Sequence, residues 1–122
     1  MKKLAAVVIL LCLAGIALAA TAPVVSTPKD GDKLGSNVYI TLKTEGKQFI
    51  IVITDVFVNQ KQVGSVPGIR HWTDDNGDLT VRVATPRVLN AKKEDLVYKI
   101  RVFTATAGGD KGPETVVTCT AE

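Results

Sequence analysis

The residues with the most chemical potential lie in one stretch, "RHWTDDNGD", from Arg70 to Asp78. Asp74, Asn76 and Asp78 stand at alternate positions, and carboxylate and amide oxygens so spaced are hard ligands of the kind calcium takes. The helix-loop-helix calcium loop places its glycine sixth, whereas Gly77 comes fourth counting from Asp74. The same residues read more readily as the solvated tip of a hairpin, because Asn76-Gly77 tolerates the positive φ angles of a tight turn. Trp72, the only tryptophan, is flanked by His71 and Arg70. An exposed indole there would stack on a sugar ring or pack on a protein partner, with its neighbours as polar contacts. More often such a residue is buried and closes the end of a sandwich core, which is the expectation for Trp72.

Catalysis needs a nucleophile with a base, paired carboxylates in a cleft, or a metal cluster. His71 is the only histidine, and alone it builds neither a metal site nor a nucleophilic triad. Ser26, Ser36 and Ser65 have no base beside them in sequence, and the acids fall mostly at turns. The reading is therefore of a non-catalytic chain without a cofactor. Two further reactive groups have structural readings. Tyr98 leads an alternating run, where a hydroxyl can bond back to the preceding corner. Cys119 shares a face with Val117 and Ala121, as an inert buried thiol would.

The elements that must position these residues are strands, since apolar residues recur at every second position. Val38, Ile40 and Leu42 oppose Tyr39, Thr41 and Lys43; Leu79, Val81 and Val83 oppose Thr80 and Arg82; Tyr98, Ile100 and Val102 oppose Lys99, Arg101 and Phe103. Such alternation belongs to antiparallel sheets with one face on a core. Phe49 to Ile53 is apolar at consecutive positions, as in a central strand covered on both sides or crossed by a bulge. Turn signals fall between the runs: "TPKDGDKLGS", "EGK", "NQKQ", "GSVPG" and "DDNGD". "AGGDKGP" lies between the last two runs and no helix follows it, so it reads as a hairpin corner and not as a phosphate cradle. "RVLNAKKEDLVY" allows one helical turn with Asn90 as its cap. The expectation is an all-β fold, an antiparallel β-sandwich of about seven strands.

Residues 1–20, "MKKLAAVVILLCLAGIALAA", have two lysines, an uncharged apolar stretch and small residues with Ala17 and Ala19 in A-x-A spacing, which reads as a cleavable signal peptide. A retained membrane anchor is the alternative, although no positive flank follows the apolar run. Residues 21–122 then form one domain, secreted, periplasmic or at the cell surface, without a stable membrane span. Without Lys2 and Lys3 the chain has 13 basic groups against 12 acidic ones. The cations are scattered singly, which argues against nucleic acid. Cys119 is left alone, so no intrachain disulfide can form, and it is either buried or open to pairing between chains.

The order "APVVSTPKDGDKL", "VYITLKTEG", "FIIVITDVFVNQKQVG", "DDNGDLTVRV", "LVYKIRVFTATAGGDKGP" resembles the bacterial immunoglobulin-like (Ig-like) and fibronectin type III-like modules of secreted and surface proteins. The resemblance covers the mature chain and implies an adhesion domain, a spacer or a ligand-binding accessory, with a protein or carbohydrate surface as partner. Family members often carry a tryptophan just after the Asn-Gly turn, whereas Trp72 precedes it. "VVSTPKDGDKL" is also similar to the start of periplasmic copper-resistance proteins, which hold copper with histidine and methionine. With His71 alone and no methionine after Met1, copper carriage is not expected. A different use of the chain is assembly, with "TAPVVSTP" adding as a strand to a neighbour's sheet edge and giving self-association.

Overall fold

The computed structural model describes residues 21–106 and 108–122; the expected signal peptide, residues 1–20, lies outside them. Eight strands are found among the described residues: β1 Val24–Thr27, β2 Lys33–Leu34, β3 Val38–Lys43, β4 Phe49–Val58, β5 Lys61–Trp72, β6 Asp78–Val83, β7 Leu96–Ala105 and β8 Lys111–Ala121. The fold is all-β. One sheet has the order β1-β3-β6 and the other β2-β8-β7-β4-β5. Every pairing is antiparallel except β2 with β8. No described helix is long and apolar enough to cross a membrane.

Pleat geometry sends alternate side chains to opposite faces, and the alternating runs form the core accordingly. Val38, Ile40 and Leu42 of β3 and Val81 and Val83 of β6 meet Ile50, Val52, Tyr98, Ile100 and Val102 of the larger sheet in one buried cluster. Cys119 lies in that cluster beside Val117 and Ala121 and is fully buried. The apolar core is what holds the two sheets together, since burying such side chains is the main favourable term in folding.

Several local expectations need correction. Eight strands are described where about seven were expected, and the additional one is the two-residue β2, which covers the end of β8. The loop before it continues this cover: Asp30 Oδ1 accepts the Thr118 amide at 2.8 Å and Gly31 N–H donates to the Thr118 carbonyl at 2.8 Å. "GSVPG" does not punctuate the chain but lies inside β5. That strand is at the sheet edge, where proline's missing N–H and irregular pairing cost little. The register shifts where Pro67 and Gly68 face Ile53, a bulge of the kind edge strands use. β4 and β5 are joined by Asn59 and Gln60, both with positive φ (49° and 69°), as a two-residue hairpin of the favoured twist needs. The short 3-10 turn is Lys93–Asp95, and Asn90 does not cap it; Asn90 takes a left-handed conformation (φ 67°) in the loop before.

Asn76-Gly77 also makes no hairpin. β5 and β6 belong to different sheets, so this turn carries the chain across the core. The β3–β4 connection crosses in the other direction beside it. The two crossings are bonded to each other: Thr44 N–H to the Gly77 carbonyl at 2.8 Å, Thr73 N–H to the Gln48 carbonyl at 2.9 Å, and Gln48 N–H to Thr73 Oγ1 at 2.8 Å. Thr44 and Thr73 are buried, and their hydroxyls lie 3.2 Å apart. Buried polar groups are tolerated only when bonded in this way.

"AGGDKGP" connects β7 and β8, which pair antiparallel. Thr106 N–H bonds to the Asp110 carbonyl at 3.0 Å, and Gly109 takes φ +88° at the corner.

Candidate functional site

The larger sheet is wider than the smaller one, and its outer face has no described element over it. Consecutive apolar residues in β4 therefore do not mean a strand covered twice. Ile50 and Val52 enter the core, while Phe49, Ile51 and Ile53 point outward and are half-buried by their neighbours. Pairing register decides which neighbours these are. Phe49 faces Trp72 and Ile51 faces Arg70 on β5; on the other side Ile51 faces Phe103 on β7, which faces Glu114 on β8. Directly opposed side chains on one sheet face are in contact range.

The outcome is a hollow of about 380 Å³ at one end of the outer face. Phe49, Ile51 and Phe103 form its floor and Trp72 and Arg70 its edge, while Thr106 and Gly109 of the last hairpin close one end. Trp72 is 59% exposed, so it does not close the core as a buried indole would. Its ring lies 5.3 Å from that of Phe49, tilted by 60°, an arrangement aromatic pairs favour. The next residue, Thr73, is held by the crossing network described above, which anchors the backbone that carries the indole.

Two lysines lie over aromatic rings at this end. Lys47 Nζ lies 5.8 Å from the centre of the Trp72 ring and Lys111 Nζ 4.8 Å from that of Phe103, both within the range of attraction to an aromatic face. Lys111 is paired with Glu114 at 2.9 Å, and Glu114 also meets Arg101 Nη1 at 3.4 Å. Arg101 Nε reaches Asp55 at 2.8 Å, and Ser65 donates its hydroxyl to that carboxylate. Arg70 and Lys47, by contrast, form no ion pair among the described residues. No acidic side chain lines the hollow among the described residues.

The residues expected from the sequence are distributed as follows. Arg70 and Trp72 share the outer face, two positions apart on β5. His71 lies between them, opposite Ile50, and so points to the other side of the sheet, exposed beyond the narrower partner sheet. The three therefore do not form one cluster. Asp74, Asn76 and Asp78 sit in the crossing turn. Asp74 Oδ1 accepts the amides of Asn76 and Asp78, each at 2.9 Å. The Asp78 side chain is 3.5 Å from Lys43. No group of three or more His, Cys, Asp or Glu arranged for a metal occurs among the described residues.

Tyr98 is fully buried, and its hydroxyl donates to the Pro86 carbonyl at 2.8 Å. Burial pushes its pKa up, partly offset by the Arg87 guanidinium. Cys119 is free and buried, with Sγ 3.5 Å from the Lys29 carbonyl. Its thiol is pushed up to about 11, first by burial and then by Asp32 and Asp30. A thiol so protonated at neutral pH is a poor nucleophile.

Sequence reasoning missed Phe49, Ile51 and Phe103 as partners of Trp72. The outward phase of Phe103 was available from the alternation of β7. What brings it to Trp72, 31 positions earlier in the chain, is the register of β5 on β4 and of β4 on β7. No family model, curated protein or solved structure matches the chain.

Proposed function

We propose that the chain is an exported, non-catalytic binding module with an Ig-like or fibronectin type III-like β-sandwich fold, working in the periplasm, at the cell surface or outside the cell. The fold reading is supported by strand order. Assigning β1, β3 and β6 to strands A, B and E, and β8, β7, β4 and β5 to G, F, C and C′, gives the division of strands between sheets used in such sandwiches. The Tyr98 bond back to Pro86, ahead of β7, supports it too, since a tyrosine at this corner recurs in them. Export is supported by the amino-terminal sequence pattern alone.

Binding rests on a single observation: Trp72, 59% exposed, forms the edge of an apolar hollow on a rigid sheet face. Large aromatic side chains in fixed positions are the usual anchors of recognition, because little side-chain freedom is lost when a ligand packs on them. Assembly by strand addition has less support, because Val24–Thr27 already pairs with β3. Calcium at the 74–78 turn has less support as well, because two amides occupy Asp74 Oδ1.

Trp72 is the chain's only tryptophan and so reports on its own site. The chain from Thr21 onward, which carries all eight strands, is to be titrated with neutral and acidic oligosaccharides and with extended peptides while indole emission is followed. At least one of these classes is expected to shift the emission, and Trp72→Ala is expected to abolish its binding, measured by calorimetry, without lowering the melting temperature. No response to any class, or binding unchanged in Trp72→Ala, overturns the reading.

A further inference from the structure

The geometry points to an acidic polysaccharide, a chain bearing uronate carboxylates, as the ligand of the Trp72 hollow; this rests on the binding-module reading above and names its ligand class. Three observations carry it. The first is the kind of surface. The floor of the hollow, Phe49, Ile51 and Phe103, lies on β4 and β7, strands paired on both sides, so a ligand seated on it gains no main-chain bonds of the kind a peptide gains at an edge; only β5, which carries Trp72 and Arg70, has an open side. A ligand must instead offer a flat apolar side to the indole and polar groups to the side chains around it. A pyranose ring does this: its C–H face packs on an aromatic ring while its substituents point outward.

The second is charge. Arg70 stands beside Trp72 on the outer face of β5, and Lys47 lies over the same indole. Neither is spent in an ion pair among the described residues, whereas Lys111, Arg101, Asp55 and Glu114 neutralise one another farther along the same face. Arg70 is the one charged residue lining the hollow among the described residues; the nearest carboxylates along the chain, Asp74 and Asp75, lie in the crossing turn after Trp72 and outside the lining. A guanidinium offers a planar fork of donors that fits a carboxylate in two bonds, which an uncharged sugar cannot match. The third is shape. The hollow is bounded at the last hairpin, while the sheet face continues past Ile53 toward Arg101. A polymer lying across a face suits this better than a small enclosed molecule. One sugar ring stacks on Trp72, its carboxylate is taken by Arg70, and Lys47 holds a neighbouring anionic group.

The test uses oligogalacturonate as the acidic probe, cellohexaose as the neutral one and poly-L-glutamate as an anionic polymer without sugar rings. Affinities come from calorimetry and from Trp72 emission at low and at moderate salt. Oligogalacturonate is expected to bind at least about tenfold more tightly than cellohexaose, since a charge-assisted bond is worth more than a neutral one. Trp72→Ala is expected to abolish that binding. Arg70→Gln is expected to weaken oligogalacturonate about tenfold while leaving cellohexaose unchanged. Both side chains are exposed, and melting curves confirm that the variants fold. Equal affinity for cellohexaose, lost in Trp72→Ala, overturns the acidic preference and leaves the binding module intact. Poly-L-glutamate binding as tightly as oligogalacturonate, insensitive to Trp72→Ala, shows bare charge attraction and overturns the proposal. So does a failure of oligogalacturonate to shift Trp72 emission, whereas the binding-module reading falls only if the neutral sugars and peptides fail too.

Discussion

Arg101 Nε donates to Asp55 Oδ2 at 2.8 Å, across β4 and β7 on the outer face of the larger sheet, with Asp55 only 7% exposed. Asp55 also accepts the Ser65 hydroxyl, and Arg101 extends to Glu114 at 3.4 Å. One carboxylate thus links three strands. Asp55→Ala is expected to cost about 2 kcal/mol in urea unfolding, because it leaves a half-buried guanidinium with one long partner. A double-mutant cycle with Arg101→Ala should return a coupling of about 1 kcal/mol or more. Additive effects of the two substitutions would show that the pair is merely adjacent.

Gly77 and Gly31 have nearly the same backbone angle, φ +85° and +87°, but differ in surroundings. A Cβ on Gly77 would lie 2.0 Å from the Thr44 carbonyl oxygen, whereas one on Gly31 meets nothing within 4 Å. Gly31→Ala should cost about 1 kcal/mol for the left-handed angle alone, and Gly77→Ala clearly more, about 3 kcal/mol or beyond, because the two crossings must separate. Equal melting temperatures of the two variants would contradict this account of the crossing turn.

Removing the Tyr98 hydroxyl tests the corner bond. Tyr98→Phe keeps the ring in the core and loses only the donor to Pro86, so chemical denaturation should show a loss of about 1 kcal/mol. An unchanged midpoint would mean that water replaces the hydroxyl without penalty.

Alkaline pH should destabilise the fold through Cys119. Its thiol ionises at about 9.0 when free and at about 11 in the folded chain. Below the first value both states hold the proton and nothing changes. Between the two, the unfolded chain loses its proton while the folded chain keeps it, so stability falls as pH rises and levels off above about 11. The loss should be on the order of 2 kcal/mol. Tyr98, also raised by burial, adds a fall of the same sign at higher pH. In Cys119→Ala the first part of the slope should vanish, even though the variant is less stable throughout. A slope that persists unchanged would assign it to another group.

Much of the strand content could be read directly, because a period of two is a property of the extended chain itself. Val38, Ile40 and Leu42 enter the core for the same reason that Thr41 and Lys43 do not: the pleat separates them. Gly109 could be placed at a corner because it follows one alternating run and precedes another, and a reversal there needs a positive φ. Asn59 and Gln60 were harder, since neither is glycine, and the hairpin between β4 and β5 forces both into left-handed angles.

What the chain decides by itself is local: which residues are extended, which face of each strand is apolar, and that residues 21–122 hold a single cysteine and so no internal staple. Which strands are neighbours is decided by long-range pairing, and that choice carries the rest. "GSVPG" reads as a break until β5 is seen at an edge, where lost bonds fall to water. Asn76-Gly77 reads as a hairpin until the strands on either side join different sheets. Trp72 could have been core or surface on any local argument. It is surface because the register of β5 on β4 sets the indole on the outer face beside Phe49, with Phe103 brought in by a third strand. Period is written in neighbouring residues; register depends on bonds between residues far apart in the chain, and those form only once the two sheets close on their shared core.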